Sequence, residues 1–480
     1  MIGMLGKNES QTFIDRVVGF SLASWINCII SVIATPITTA VFPPVEMGKI
    51  SLFISYANIL VPFVYMGFDQ AYTRFYNEPC GKNDKYSLFR LCSIITLSLG
   101  IIAGIVVLFG WKYFSTSIIG FPDIWISLAL IVYVIASLLY RLCSLKSRME
   151  NKVKKFCVLS VLSTIIIKIS FVIVVVVRPS AEYAIYVRAL FLMLAFGLFF
   201  LKDWNECKTT GIDYSKPVLK ELSSFSLPIF PTAFLVMLNM SLAQIMLRRY
   251  EDFAQMGIYS NAVTIAALIS VVQSGLNAFW TPFVYEYYKD QHKVQTMHHI
   301  FSVLMFLMAF VIIAGQDVIY FFLVDERYWE SKAILAILVI SPVCDVLAET
   351  LGLGIELSKK TYLKLPAYII NVLVNLVSCV VLIPLLGILG AAIANALASI
   401  SMLVARAVIG EHFYRCSDNY LKLILSMILL LVAGCVNYTY HTYIYLYVLV
   451  ALSIVVYIYK KEVTIISRQG MAYINKRIKL

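Results

Sequence analysis

Apolar runs of about 18–25 residues recur along the whole chain, separated by short polar stretches that hold most of its lysine and arginine. Each run is long enough to cross the ~30 Å hydrocarbon core of a bilayer as a helix. The pattern predicts fourteen spans, at roughly 17–41, 49–71, 89–111, 119–140, 156–177, 183–201, 224–247, 257–282, 299–323, 333–355, 364–384, 388–409, 420–437 and 441–459. Phe42-Pro43-Pro44 stops the first helix. Span seven enters through Pro228 and Pro231, which a membrane helix tolerates when neighbouring groups satisfy the freed carbonyls. The expected fold class is all-α and polytopic.

Composition agrees. Of 480 residues 61% are hydrophobic and only 14% charged, against about half and a quarter in soluble domains. No predicted connection exceeds about 25 residues, which leaves no room for a soluble catalytic domain or a long outer loop. The first run follows Lys7, Asp15 and Arg16, is longer than a signal-peptide core, and is expected to stay as an anchor. The ten cysteines are scattered singly, without a C-x-x-C pair, and read as small hydrophobes.

The net charge of +12 raises the question of nucleic acid, and its placement answers it. With both termini cytoplasmic, 30 of the 39 lysines and arginines fall in cytoplasmic segments, 7 fall outside, and Lys168 and Arg188 lie within spans. That bias is the positive-inside signal of a membrane protein facing anionic headgroups, so no nucleic-acid partner is expected.

Two stretches run in parallel. The second span opens with Met47-Gly48 and ends in Gly67 followed by an aromatic cluster; the eighth opens with Met256-Gly257 and ends in Gly275 with Phe279 and Tyr285. An offset of six helices keeps both halves in one orientation, giving parallel repeats about an axis along the membrane normal. The expected organisation is a six-helix lobe over 1–203, a cytoplasmic linker over 204–222, a second six-helix lobe over 223–412, and two extra helices with a basic tail over 413–480.

At these residues the chain resembles the polysaccharide repeat-unit flippases of the O-antigen type, within the multidrug/oligosaccharidyl-lipid/polysaccharide exporter superfamily. The matching features are Glu46-Met47-Gly48 through Gly67 and Ala71 to Arg74, Leu222 to Pro228 with Pro231, Met256 to Ser260, and Asn375 through Pro384 to the Gly387–Ala394 run. The resemblance covers about residues 15–410. It implies translocation of an undecaprenyl-pyrophosphate-linked oligosaccharide from the cytoplasmic to the outer leaflet of a bacterial inner membrane, by alternating access. Membrane lipids and other polysaccharide-assembly membrane proteins are the implied partners. Many relatives carry an acidic residue late in the seventh span; this chain reads Ser241-Leu242-Ala243-Gln244 there, so a role for that acid does not carry over.

Ionisable groups inside a bilayer cost about 2.5–3.5 kcal/mol on insertion scales and mark function by default. Lys168 lies roughly 15 Å from the outer end of its span. It and Arg188 are candidates to line the cavity and hold pyrophosphate or acidic sugars; the competing readings are a lysine paired with a carboxylate and an arginine snorkelling to headgroups. Asn239, Gln244 and Asn277 are candidates to hydrogen-bond sugar hydroxyls, against a role as helix glue. Asp345 and Glu349, followed by Glu356, share a face of the tenth span. They are ion-coupling candidates for H⁺ or Na⁺, or a counter-charge to Lys168. Asp69 and Arg74 are gate candidates or a local ion pair at the cytoplasmic end of the second span. No metal site and no bound cofactor are expected.

Three classes of function compete. The first is the flippase. The second is a cation-coupled multidrug exporter of the same superfamily, which would rely on the tenth-span carboxylates. The third is an enzyme, a multispan polymerase, ligase or glycosyltransferase. The absence of Asp-x-Asp, H-E-x-x-H and P-loop motifs argues against it.

Overall fold

The structure, a computed structural model, describes residues 7–78, 81, 83–177, 179–207, 211–269, 273, 280, 283–465 and 467–468. Among them no strand occurs. Twelve helical segments are long and apolar enough to cross a membrane, from Leu22–Val41 to Tyr420–Thr439. Two shorter apolar helices, Phe253–Ile269 and Ile444–Ile458, stand where the eighth and fourteenth spans were expected. The outward faces are themselves apolar: Ile101, Ile102, Ile105, Val106 and Phe109 on one helix are all exposed. A water-soluble bundle would place polar groups there; these sites suit hydrocarbon.

The chain divides into two compact units, residues 2–257 and 258–480. In the first, α1 (Lys7–Val41) and α2 (Pro44–Tyr65) are separated at Phe42 and Pro43. The second predicted span is shifted and broken. Met66 and Gly67 both take left-handed φ, 41° and 82°, and a separate helix α3 (Phe68–Phe75) follows. A β-carbon on Gly67 would collide with the Ser226 carbonyl, so glycine is required by both angle and space. Helix α4 (Lys85–Phe109) is capped by Asp84, whose carboxylate accepts from Tyr86 N at 3.1 Å and Ser87 N at 2.7 Å. Its Gly100 and Gly104 pack against Val64 and Leu138, and against Ile131, as a small-xxx-small face does.

After α5 (Trp111–Ile119) comes α6 (Ile124–Met149), which runs about two turns beyond the expected boundary. Lys146, expected in a loop, is therefore on a helix and only 1% exposed. Its ammonium donates to Asp203 Oδ1 at 3.0 Å, and Lys155 binds the same carboxylate. Helices α7 (Val153–Val177) and α8 (Ala181–Glu206) follow. Glu46 of α2 accepts from the Ala181 amide at the start of α8, where the exposed N–H groups and dipole favour an anion. The amphipathic α9 (Lys216–Ser226) precedes α10 (Phe230–Tyr250), with Pro231 in its first turn.

The two Met-Gly pairs meet. α11 (Phe253–Ala266) begins just before the second one. A β-carbon on Gly48 would strike the Phe253 carbonyl, four residues before Gly257; one on Gly257 would strike the Pro44 carbonyl, four residues before Gly48. The approach is reciprocal, each glycine facing a carbonyl one helical turn before the other.

The second unit contains α12 (Gln291–Ala314), α13 (Gln316–Leu323) and a span broken into α14 (Lys332–Leu338), α15 (Ile340–Leu351) and α16 (Leu353–Leu357). α17 (Lys364–Leu386) and α18 (Ile388–Phe413) form a tight hairpin at Gly387, whose φ is 57°. β-Carbons on Gly354 and Gly410 would each strike the backbone across the α16–α18 crossing. The remaining α19 (Tyr420–Thr439) and α20 (Ile444–Ile458) are tied in by Asn437, which accepts from Gln316 at 2.7 Å and donates to Lys332 O at 2.9 Å.

Candidate functional site

Lys168 lies nine residues before the end of α7, about 14 Å along the axis, and Arg188 seven residues into α8, about 10 Å. Both are thus well inside the apolar part of the first unit. Arg188 is 2% exposed, with its guanidinium carbon 4.9 Å from the centre of the Phe171 ring and its Nε without a hydrogen-bond partner. Phe171 is in turn held edge-on by Phe42 at 5.2 Å, so the platform under the guanidinium is fixed. The arginine does not reach out to headgroups.

Lys168 is half-buried and lies one helical turn before Phe171, whose ring lies under Arg188. Among the described residues neither cation has a carboxylate partner. A cation–π contact offsets only about 2 kcal/mol of what a buried guanidinium loses on leaving water. Two cations without a carboxylate among the described residues leave this part of the unit short of negative charge.

The amides are placed differently. Gln244 on α10 accepts from Ser51 at 2.8 Å and also from Ser55, both on α2, through a single oxygen. It joins two helices, and the remainder of its amide is half-buried. Asn239, five residues earlier, is half-buried and engaged in a polar contact. Asn277 lies outside the described residues.

The three carboxylates of the tenth span do not act as one stripe. Asp345 on α15 is exposed and has no ion-pair partner among the described residues. Glu349 binds Arg406 at 2.7 Å, and Glu356 binds Lys364 at 2.5 Å. The counter-charge of Glu349 is therefore Arg406 of α18, a residue three positions before the expected end of its span and counted by its charge with the cytoplasmic segments. The helix continues to Phe413 and leaves Arg406 only 4% exposed. Gly352 makes the space: a β-carbon there would lie 2.7 Å from Arg406 Nε.

The Asp69–Arg74 pairing is corrected. Asp69, buried at the start of α3, accepts from Arg141 of α6 at 3.0 and 3.2 Å and from Gln70 at 3.0 Å. Arg74 instead pairs with Glu78 at 2.7 Å, one turn on, where both are exposed. Five residues along a helix turn the two side chains to different faces, which sequence distance alone hides. Asp69 and Arg141 thus join α3 to α6 at one end of the bundle. Sequence reading missed Arg141, Lys146, Asp203 and Arg406 as partners; the usable signal was the continuing helical pattern past the predicted ends.

Comparison with known proteins gives three findings. The family model described as "Polysaccharide biosynthesis protein" matches residues 16–283. No curated protein sequence matches the chain. Among solved structures, a lipid II flippase MurJ in an inward closed conformation is similar with a TM-score of 0.60 at 16% identity, over 94% of this chain and 99% of that one. An outward-facing multidrug resistance MATE family transporter of the MOP superfamily gives 0.57 at 17% identity, covering 83% and 94%. The MATE multidrug transporter DinF-BH in complex with R6G gives 0.55 at 13%, covering 82% and 93%. At such identities the likeness establishes the fold; the named relatives are transporters and flippases, not catalysts.

Proposed function

We propose, on the premise that the chain belongs to the polysaccharide biosynthesis protein family and is a multi-pass membrane transporter of the flippase type, that its cargo is an oligosaccharide linked to a polyprenyl pyrophosphate. The observation that carries this reading is that Lys168 and Arg188, both within apolar helices of the first unit, have no carboxylate partner among the described residues. An anion arriving there exchanges its own hydration for charge-assisted contacts with cations that the described fold does not neutralise. A pyrophosphate fits that description; a cationic drug does not. Undecaprenyl pyrophosphate carrying an O-antigen or other surface-polysaccharide repeat unit is the cargo class we assign.

To the sugar hydroxyls we assign the polar groups of α10, Gln244 and Asn239. Glu349 is committed to Arg406, so we assign ion coupling, to H⁺ or Na⁺, to Asp345. We place both termini on the cytoplasmic side of a bacterial inner membrane, on the positive-inside bias, and other polysaccharide-assembly membrane proteins as neighbours. The exposed, unpaired Asp345 is also what a cation-coupled multidrug exporter would need, and that is the second reading.

The test is a deletion strain assayed for lipid-linked oligosaccharide held in the inner leaflet, with and without the gene restored. Accumulation with loss of surface polysaccharide is expected. An unchanged intermediate together with new drug sensitivity would transfer the assignment to the exporter.

A further inference from the structure

His298 and His299 stand side by side about two turns into α12, and both are buried. Their ring centres are 5.3 Å apart. The hydrogen bonds around them fix which nitrogen of each carries hydrogen. Thr350 of α15 sends its hydroxyl hydrogen to Leu347 O at 3.0 Å, so its oxygen accepts from His298 Nδ1, 2.9 Å away. His298 Nδ1 is therefore the N–H, and Nε2 keeps a bare lone pair. That nitrogen is buried and has no hydrogen-bond partner. His299 is provided for differently. Its Nε2 meets Asp418 Oδ1 at 2.5 Å, so a charge on this ring is already paired.

The charged groups on the elements packed against α12 are otherwise engaged or exposed. Lys422 of α19 pairs with Glu462 at 2.8 Å and lies 5.4 Å from the centre of the Tyr459 ring, which follows α20. That ring is 6.2 Å from the ring of His299. On α15, Glu349 is held by Arg406 and Asp345 is exposed; Asp317 of α13 and Lys332 of α14 pair with each other. Among the described residues no carboxylate pairs with His298, and no third histidine, cysteine or carboxylate completes a metal site.

We propose that His298 is a proton-binding site, filled only when α12 and α15 move apart, whatever the cargo. In the packed arrangement a proton on Nε2 would bury a charged N–H without an acceptor, which is strongly disfavoured. Separation lets Nε2 meet water, and an imidazole in water takes up a proton at about pH 6.5. Protonation and separation are thus one event, and acid draws the population away from the packed arrangement. His299 differs because Asp418 lets it carry charge without any movement.

The experiment uses the full-length protein in lipid nanodiscs with isotope-labelled histidine, whose nitrogen resonances distinguish Nδ1–H, Nε2–H and doubly protonated rings. Of the five histidines, one is expected in the Nδ1–H form at about pH 7.5, lost at about pH 5.5 and missing from His298→Asn. The asparagine amide keeps a donor for Thr350 and does not titrate. Hydrogen–deuterium exchange then follows α15. Corrected for the intrinsic rate, it should rise at least about threefold over the same pH step in wild type and in His299→Gln, and stay level in His298→Asn. A rise that persists in His298→Asn overturns the assignment. So does a rise lost in His299→Gln, which would give the proton to the His299–Asp418 pair. Absence of an Nδ1–H resonance from wild type at neutral pH overturns it even if the variant fails to fold.

Discussion

Arg188 and Arg406 are both buried on membrane-spanning helices, and they are provided for in opposite ways. Arg406 donates from Nη1 to Glu349 at 2.7 Å, although its Nε and Nη2 make no hydrogen bond, and Gly352 gives its guanidinium room. Arg188 has the Phe171 ring, one helical turn from Lys168, and no carboxylate partner among the described residues. A charge that serves structure carries its counter-ion within the fold, because an unpaired one costs several kcal/mol. A charge without one suits an ion from outside, which is the role we propose for Arg188 and Lys168.

That contrast can be broken by mutation, the largest effect first. Glu349→Gln strands Arg406 in the interior and is expected to destabilise the detergent-solubilised protein by about 3 kcal/mol, read as a lowered melting temperature. The double variant Glu349→Leu/Arg406→Leu should recover most of that loss. Arg188→Leu is expected to do the reverse: melting unchanged or raised by about 1 kcal/mol, with transport reduced to background. A large fall in stability would instead make Arg188 a structural residue. Lys168→Ala should reduce surface delivery more than abundance, as judged by glycan display at matched expression. Asp345→Asn, on an exposed and unpaired carboxylate, should leave stability within about 0.5 kcal/mol while abolishing any dependence of transport on the coupling ion.

The smallest effect concerns Asp418, in the connection before α19. Its hydrogen bond with His299, at 2.5 Å, holds the carboxyl below its usual range. A depressed carboxylate contributes stability above its unfolded value and loses it as pH falls through the folded one. Asp418→Asn should therefore flatten the acid side of a melting-temperature profile and change little at neutral pH.

Helix existence was readable from the chain because lipid leaves little choice: a run such as 364–384 must be a continuous helix or leave backbone groups unsatisfied. The structure places α17 at Lys364–Leu386. Helix ends were less readable. Arg141, Lys146 and Arg406 resemble loop residues by charge, yet each is on a helix that carries on past the apolar run to reach Asp69, Asp203 or Glu349. Tertiary partners 50 or more residues away override local polarity there, and a pattern with a period of 3.6 contains no information about them. Lys168 and Arg188 could be singled out early because their anomaly is one-dimensional: a cation within an apolar run. That neither finds a carboxylate among the described residues could be learned only from the packed helices.

The reciprocal approach of Gly48 and Gly257 has a consequence for how this contact can change. In a symmetric dimer a single substitution appears on both sides of a self-complementary contact at once. Within one continuous chain the two sides mutate separately. Each glycine faces a carbonyl one turn before the other, so a side chain added at either one pushes the same pair of helices apart, and neither position can relieve a change at its partner.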